Sequence, residues 1–205
     1  MQEIFEVAED VAISPEALLD AELRSEVKHE FQNGKLIKMS GGLIEHNLIK
    51  GGIYSLLKAY IESLNLPFLV LDSDMKTWIE AYDIWHYPDV TVLPKPPQFY
   101  VTPKGKTRRD AIINPLLLVE VLSDKTRSFD QGEKFNDYCT LPSFREYLLV
   151  EPEKIWVKSI FLENPAAGIQ RVKTETRLDA SIYLHSLGCE LRLADIYQAL
   201  EWLKT

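Results

Sequence analysis

Residues 115–122 read Pro-Leu-Leu-Leu-Val-Glu-Val-Leu, a nearly continuous apolar run interrupted by one carboxylate, Glu120. A run of this length and composition is typical of a β-strand that is covered on both faces. Burying a carboxylate in such a strand is costly unless the group is paired, hydrogen-bonded or bound to a metal ion. The stretch therefore predicts a buried central strand and a partner for Glu120.

Asp89 is the best candidate partner, because it begins an earlier strand-like run. If the two strands pair side by side, their carboxylates come within reach of one cation. Two carboxylates and the main-chain carbonyl of Val121 would form a site of hard oxygen ligands, which suits Mg²⁺ or Mn²⁺. The alternative is a structural ion pair between Glu120 and a basic side chain, for which Arg127 and Arg145 are near in sequence.

Lys134 stands on the helix that we predict after this strand. A lysine beside two carboxylates and a metal ion would orient the attacking water and stabilise the charge on a pentavalent phosphate. The alternative is an exposed helical lysine that pairs with Asp130, one turn earlier. The neighbouring Glu120 favours the catalytic interpretation.

Two further residues are accessory candidates. Glu30 lies on the first arm of a predicted hairpin, whose turn is marked by Asn33-Gly34, because a type I′ turn needs a positive φ at both central positions. His46 stands near the start of the longest predicted helix. Either side chain would support a metal ligand or hold a metal-bound water, and the alternative for His46 is a core or surface histidine without a chemical role.

The rest of the chain alternates helical and strand-like patterns. Ser14-Pro15 marks a helix start, with Ser as the N-cap and Pro at the first helical position, and four prolines with much charge predict a surface loop over 94–114. Apolar spacing predicts a helix after residue 14, further helices at 43–64, 129–139 and 194–203, and strands at 67–71, 75–80, 89–93, 115–122, 146–150 and 155–161, with one more strand pair in the tail. This order predicts an α/β (α+β) fold, with a mixed sheet flanked by helices in a single domain, 1–205.

The charge balance bears on nucleic-acid binding. Acidic residues outnumber basic ones, 31 to 23, for a net charge of −8, whereas binding to phosphates depends on Lys and Arg. A DNA-binding role would need a local basic patch, a metal-rich site or a dimer that gathers its bases along one groove. The evident basic cluster is Lys104, Lys106, Arg108 and Arg109, for which the alternative is a solvated loop.

The same composition bears on the compartment. No apolar run reaches the roughly 18 residues of a membrane span, and the acidic N-terminus lacks the pattern of a signal peptide. Cys139 and Cys189 have neither a metal-ligand spacing nor the number that a disulfide framework needs. We therefore expect a cytoplasmic protein with reduced thiols and no contact with a membrane.

Several stretches together resemble a known family. Pro88-Asp89 and Glu120 resemble the PD-(D/E)XK nuclease superfamily, and the wider pattern resembles the Uma-two family of restriction-type endonucleases. The matching stretches are Lys28-His-Glu-Phe-Gln-Asn-Gly, Met39-Ser-Gly-Gly, His46-Asn47, Tyr87-Pro-Asp-Val, Val119-Glu-Val-Leu-Ser, Thr126, Asp130, Lys134-Phe, Tyr138 and Glu146-Tyr-Leu-Leu-Val. The resemblance implies a restriction-endonuclease-like fold and Mg²⁺-dependent phosphodiester hydrolysis, with Asp89 and Glu120 as metal carboxylates and Glu30 as the family's N-terminal acid.

The sequence departs from the superfamily pattern at one position. The pattern places a lysine two residues after the glutamate, and this chain has Leu122 there. The resemblance suggests that the lysine has moved to the next helix, as Lys134. We therefore expect a metal-dependent DNA endonuclease that acts as a homodimer in order to cut both strands.

Two other functions compete with this expectation. The missing strand lysine and the negative net charge favour a catalytically inactive nuclease-fold module that binds a protein or a nucleic acid. A structural protein with a buried ion pair at Glu120 is the third possibility. It predicts that replacing Asp89 with asparagine destabilises the fold strongly, because a charge would be left buried without its partner.

Overall fold

The computed structural model describes residues 4–6, 14–32, 35–39 and 41–200. The helices within these ranges are α1 (Pro15–Arg24), α2 (Ile44–Ser63), α3 (Arg127–Gln131), α4 (Glu133–Cys139) and α5 (Leu193–Ile196), with a short 3₁₀ helix at Pro165–Ala167. The strands are β1 (Ile4–Glu6), β2 (His29–Gln32), β3 (Lys35–Lys38), β4 (Phe68–Asp72), β5 (Lys76–Ile79), β6 (Ile84–His86), β7 (Val90–Pro94), β8 (Phe99–Val101), β9 (Thr107–Ile112), β10 (Leu117–Val121), β11 (Glu146–Val150), β12 (Val157–Asn164), β13 (Ile169–Glu175), β14 (Ser181–Leu184) and β15 (Cys189–Arg192).

The described strands form two mixed sheets and a ribbon. The first sheet has the order β1-β3-β2-β6-β5-β9-β8, the second has the order β13-β12-β11-β10-β7-β4, and β14 pairs with β15. In the second sheet β10 lies between β11, to which it is parallel, and β7, to which it is antiparallel. The predicted mixed α+β architecture with flanking helices is confirmed, although the strands divide between two large sheets where one was expected.

The two faces of β10 contact different cores. Leu117, Val119 and Val121 pack in the core beneath α2, whereas Leu118 and Leu122 pack in the core beside α4. Because side chains alternate along a strand, Glu120 belongs to the same face as Leu118 and Leu122. The strand therefore turns its carboxylate toward α4 and away from α2.

Helix α2 covers the other face of this sheet. Its buried residues recur every four positions, at Ile49, Ile53, Leu57 and Ile61, which places them along one side of the helix. They pack against the apolar residues of β7 and β10 in one cluster. The predicted longest helix is confirmed, and its packing brings the first turn of α2, with His46, to the end of β10 where Val121 lies.

Several sequence predictions of local structure are also confirmed. Ser14 caps α1, its hydroxyl accepting a hydrogen bond from the amide of Ala17 at 3.3 Å. Strands β2 and β3 pair antiparallel as the two arms of the predicted hairpin, and its predicted turn, Asn33-Gly34, lies outside the described residues. No helix within the described ranges is long and apolar enough to cross a membrane.

The predicted surface loop over 94–114 is wrong, because this stretch contains strands β8 and β9. The two strands pair with each other, and β9 also runs parallel to β5. The buried basic residue of this stretch is paired with acidic side chains. Arg108 is buried and its guanidinium bonds to Asp20 at 2.6 Å and to Asp110 at 2.9 Å.

Two predicted helices differ from the observed ones. The helix expected over 129–139 is divided into α3 and α4 at Gly132, whose φ of −125° and ψ of −95° are not helical. A Cβ at this position would lie 3.0 Å from the carbonyl oxygen of Ser128, so the glycine permits a close approach of the backbone. The closing helix expected at 194–203 is the short α5, and residues 201–203 lie outside the described ranges.

Candidate active site

The site residues named from the sequence line one cleft of about 460 Å³. The strands supply Glu30 on β2, Asp89 immediately before β7, and Glu120 and Val121 on β10. The helices supply His46 on α2 and Lys134 on α4. Asp130 of α3 lines the same cleft. The structure therefore brings together every residue that the sequence singled out for chemistry.

Lys134 lies at the centre of this group. Its Nζ is 2.9 Å from Oε1 of Glu30, 2.9 Å from Oε1 of Glu120 and 3.5 Å from Oδ1 of Asp130. The alternative interpretation of Lys134 was an exposed helical lysine that pairs with Asp130. The pair is present, but the Lys134 side chain is only 5% exposed. The exposed-lysine alternative is therefore wrong, and the amine is held among three carboxylates.

The two arginines considered as partners for Glu120 have other contacts. Arg127 pairs with Asp124 and Glu151, and Arg145 donates to the main-chain carbonyls of Pro142 and Phe144. Lys134 is the basic residue that pairs with Glu120. A buried ion pair at Glu120 is thus present, with a different cation from the ones expected.

Asp89 is oriented by the main chain and by a histidine. Its Oδ2 accepts a hydrogen bond from the amide of Val121 at 2.8 Å, and its Oδ1 lies 2.9 Å from Nε2 of His46. The antiparallel register pairs Val90 with Val119, so its continuation places Asp89 opposite Glu120. These contacts leave the Asp89 carboxylate with a defined position at the strand end.

Glu30 is oriented by residues that the sequence reading missed. Its Oε1 accepts a hydrogen bond from the Tyr87 amide at 3.1 Å, and its Oε2 lies 3.8 Å from Nδ1 of His86. The other ring nitrogen of His86 is 2.9 Å from Oδ2 of Asp137. His86 is fully buried on β6, a strand that the periodicity did not separate from its neighbours. The sequence feature that could have indicated a role for His86 is its position three residues before Asp89.

A tyrosine completes the surroundings of Glu120. The hydroxyl of Tyr138 donates a hydrogen bond to Oε1 of Glu120 at 3.2 Å. Burial raises the pKa of Tyr138 well above its usual range, and the charges of Glu120, Glu30 and Asp130 raise it further. The tyrosine is therefore a neutral donor to the carboxylate.

Carboxylates exceed amines among the buried residues of this cleft. Glu30, Asp89, Glu120 and Asp130 are each no more than 9% exposed, and Lys134 is the one buried amine among the described residues that line it. Burial raises the pKa of Glu120 well above its usual range despite Lys134, with added repulsion from Asp130, Asp89 and Glu30. Burial also raises the pKa of Asp130.

The pKa values of the ion pair follow from the same charges. Burial opposes the charged form of Lys134, but Glu120, Glu30 and Asp130 raise the pKa of its amine well above the usual range. Burial likewise opposes the charged form of Glu30, but Lys134, His86 and the Tyr87 amide lower the pKa of this carboxyl. The site therefore contains the Lys134 ammonium and the ionised Glu30 carboxylate beside it. Further positive charge would favour the ionised forms of Glu120 and Asp130.

Two carboxylates and one main-chain carbonyl of this cleft are candidate ligands for a divalent cation. Among the described residues, no group of three or more His, Cys, Asp or Glu side chains is arranged to hold a metal ion, and Lys134 takes the position between Glu30 and Glu120. Mg²⁺, however, is usually held by one or two carboxylates together with waters. Asp89 and Glu120, beside the main chain of Val121, match that chemistry, and the excess of buried carboxylates favours a cation.

Three of the four basic residues in the cluster at 104–109 are paired with acidic side chains. Lys104 and Lys106 are exposed and pair with Glu16 and Asp20 of α1, and Arg108 is buried against Asp20 and Asp110. Other basic residues, Lys28 and Lys50, line the candidate site's own cleft.

The position that carries the superfamily's strand lysine is fully buried here. Leu122 has no exposed surface and packs in the apolar core beside α4. A lysine at this position would have to bury its amine among apolar side chains or reach out of that core. The amine that lies beside Glu120 is that of Lys134, on α4.

One family model matches most of the chain. The Uma2 family model, described as "Putative restriction endonuclease", matches residues 15–194. Two uncharacterised proteins of Synechocystis sp. are similar to the chain. One is 34% identical over 133 residues, covering 65% of this chain and 71% of that protein. The other is 28% identical over 190 residues, covering 92% of this chain and 93% of that protein.

A solved structure has a similar fold. It is described as a putative nuclease belonging to DUF820 from Anabaena variabilis, with a TM-score of 0.71 and 16% sequence identity. The likeness covers 92% of this chain and 99% of that one. At this identity the likeness shows the fold alone, and it supports the restriction-endonuclease-like architecture that the sequence predicted.

Proposed function

The chain belongs to the Uma2 family, whose description is "Putative restriction endonuclease", and from that premise we propose that it is a metal-dependent endonuclease that hydrolyses phosphodiester bonds in DNA. One observation carries the proposal: buried carboxylates from three strands or strand ends and a buried lysine meet in one cleft. Buried charges of this kind are costly to the fold and are typical of sites that do chemistry.

Asp89, Glu120 and the main-chain carbonyl of Val121 would hold the metal ion, Mg²⁺ or Mn²⁺. When bound, such an ion polarises a phosphoryl oxygen and lowers the pKa of a coordinated water. The hydrogen bonds from Val121 and His46 orient Asp89 for this task. His46 would therefore position the metal ligand Asp89 and would not act on the substrate directly.

Lys134 would act on the attacking water and on the charge of the phosphate. Its ammonium is held in place by Glu30 and Glu120, and a fixed positive charge in a site with little water stabilises developing negative charge strongly. Glu30 is held in turn by the Tyr87 amide and His86. We propose that this site is a variant of the PD-(D/E)XK arrangement in which a helix, and not the strand, supplies the lysine.

The substrate would approach over the basic side chains of the same cleft. Lys50, whose amine bonds to the Ser73 hydroxyl, lines it together with the buried carboxylates, as does Lys28, which also pairs with Asp74. These amines would be the ones to meet phosphates, although the whole chain is acidic. Cutting both strands of a duplex requires two such sites, and we propose a homodimer for that reason.

Cleavage and metal binding test the proposal together. Purified protein is incubated with plasmid DNA and Mn²⁺, and metal binding is measured by calorimetry. We expect nicked or linear product from the natural protein. We expect none from Lys134→Ala or from Glu120→Gln, which keeps the shape of a protonated carboxyl and so is less disruptive to the fold. The matched control is Lys58→Ala, which removes an exposed lysine whose partner Glu62 is 3.9 Å away.

The outcomes separate the competing functions. The absence of both cleavage and metal binding would exclude the nuclease proposal. Metal-dependent binding of DNA without cleavage would identify a catalytically inactive binding module. Cleavage that Glu120→Gln leaves unchanged would place the chemistry elsewhere in the molecule.

A further inference from the structure

Strand β6 ends at His86, a histidine that does not itself line the candidate active site. Its side chain has no exposed surface, and the rings of Phe129 and Tyr138 meet it edge-on, each with a centroid distance of 5.6 Å. Its Nε2 lies 2.9 Å from Oδ2 of Asp137, and its Nδ1 lies 3.8 Å from Oε2 of Glu30. The ring is thus enclosed between two carboxylates, one from α4 and one from β2.

These two carboxylates favour the charged form of the ring. A neutral imidazole has one N–H and one lone pair, so in either tautomer a buried lone pair would face a carboxylate oxygen. Nδ1 has no hydrogen-bond partner among the described residues, so a lone pair on this nitrogen would gain nothing. An imidazolium has an N–H on both nitrogens and is attracted to both carboxylates, which offsets the cost of burying its charge.

The charges around Glu30 lead to the same conclusion. Its Oε1 is 2.9 Å from the ammonium of Lys134, whereas its Oε2 is the oxygen that faces His86. Burial opposes the ionisation of Glu30, but Lys134 and then His86 lower the pKa of this carboxyl. The Glu30 carboxylate is therefore shared between two basic groups, one at each oxygen.

We propose that His86 is a positioning residue for Lys134 and that it acts as an imidazolium. Asp137 holds the ring, the ring holds Glu30, and Glu30 holds the ammonium. The proposal rests on the proposed nuclease function, in which Lys134 acts on the attacking water and on the phosphate. Without the imidazolium the Glu30 carboxylate can turn, and a displacement of about 1 Å in a catalytic group costs about a hundredfold in rate.

The charge of the ring is measured by NMR at pH 7, without metal, on protein with isotope-labelled histidine. The signals of the four histidines are told apart by single replacements. In the natural protein we expect both ring nitrogens of His86 to carry a proton. In Asp137→Asn the doubly protonated form should be less populated, because one of the two carboxylates is gone.

Cleavage of plasmid DNA with Mn²⁺ measures the positioning. His86→Gln removes the charge and keeps a polar side chain, and we expect its kcat to fall about tenfold to a hundredfold with KM unchanged. His185→Gln is the matched control, because the His185 ring stacks on Phe161 and lies outside the cleft. Asp137→Asn should lower kcat in the same way. It provides a second variant if His86→Gln does not fold, since the Asp137 side chain is 18% exposed.

The outcomes separate this inference from the function on which it rests. A neutral His86 ring in the natural protein would overturn the inference, as would a kcat of the folded variants equal to that of His185→Gln. A rise in KM without a fall in kcat would also overturn it, because His86 would then serve DNA binding. If the natural protein cleaves no DNA but its His86 is doubly protonated, the nuclease proposal fails and the contacts from Asp137 to Lys134 keep their assigned charges.

Discussion

Replacing Lys134 with methionine should destabilise the protein more than any comparable change of a surface lysine. The substitution keeps an unbranched side chain of similar length but removes the ammonium that lies 2.9 Å from both Glu30 and Glu120. The carboxylates then remain buried without their cation. Breaking a buried ion pair by removing one partner costs about 3–5 kcal/mol.

This cost can be measured as a shift in unfolding. For a chain of this length, 1 kcal/mol corresponds to roughly 2–4 °C in Tm, so we expect Lys134→Met to melt on the order of 6–20 °C lower at pH 7. Urea unfolding followed by circular dichroism gives the free energy of unfolding directly. Lys58→Met is the control, since an exposed pair such as Lys58–Glu62 contributes no more than about 0.5 kcal/mol.

The destabilisation should depend on pH with a defined sign. In the natural protein the pKa of Glu30 is lowered, so its contribution to stability is complete above the unfolded value, about 4.3, and is lost as the pH falls through the folded value. In Lys134→Met the buried carboxyls bind protons more readily. The difference in unfolding free energy between the two proteins should therefore shrink as the pH falls from 7 to 4.

Two results would refute this reasoning. If Lys134→Met loses no more stability than Lys58→Met at pH 7, the ammonium does not neutralise buried carboxylates. If the difference between the natural protein and Lys134→Met is the same at pH 7 and pH 4, lost packing and not lost charge explains the effect. Either result would also weaken the role given to Lys134 in the proposed reaction.

Two further predictions concern the groups around Asp89. Asp89→Asn should abolish the stabilisation by Mn²⁺, which for the natural protein is about 2.7 kcal/mol at one hundred times the dissociation constant. A thermal-shift titration measures this stabilisation. If Asp89→Asn instead destabilises the protein strongly in the absence of metal, a purely structural ion-pair site is favoured. Gly42→Ala should lower cleavage with little loss of stability, because the added Cβ would lie 2.9 Å from Cδ2 of His46 and push the ring off Asp89. Gly41→Ala, with open space around its Cβ, serves as the control. Equal cleavage activity of the two variants would contradict the orienting role of His46.

Local patterns were sufficient for much of the fold. The apolar run around Glu120 predicted a buried strand, and β10 is buried along its whole length. The recurrence of apolar residues at helical spacing predicted α2, and Ser14-Pro15 predicted the start of α1. Each of these signals depends on residues close together in the chain, and so sequence reasoning could find them.

The errors occurred where distant residues decide the structure. Charge in the stretch 94–114 suggested a loop, but Arg108 is neutralised by Asp20, 88 residues away, which lets β9 enter a sheet. The break at Gly132 depends on its unusual φ and ψ, which an isolated glycine does not reveal. His86 was missed because its contacts, Asp137 and Glu30, come from other elements.

The amino-acid sequence by itself determined that a carboxylate would be buried in a central strand, which residues could accompany it, and that Leu122 stands where the PD-(D/E)XK pattern, which the sequence resembles, has a lysine. Only the tertiary structure decided that Lys134 lies between Glu30 and Glu120, that Asp130 joins them, and that the His86 ring lies between Asp137 and Glu30. The physical reason is that periodicity and composition report which side chains leave water, whereas the partner of a buried charge is chosen by strand register and helix packing between segments far apart in the chain.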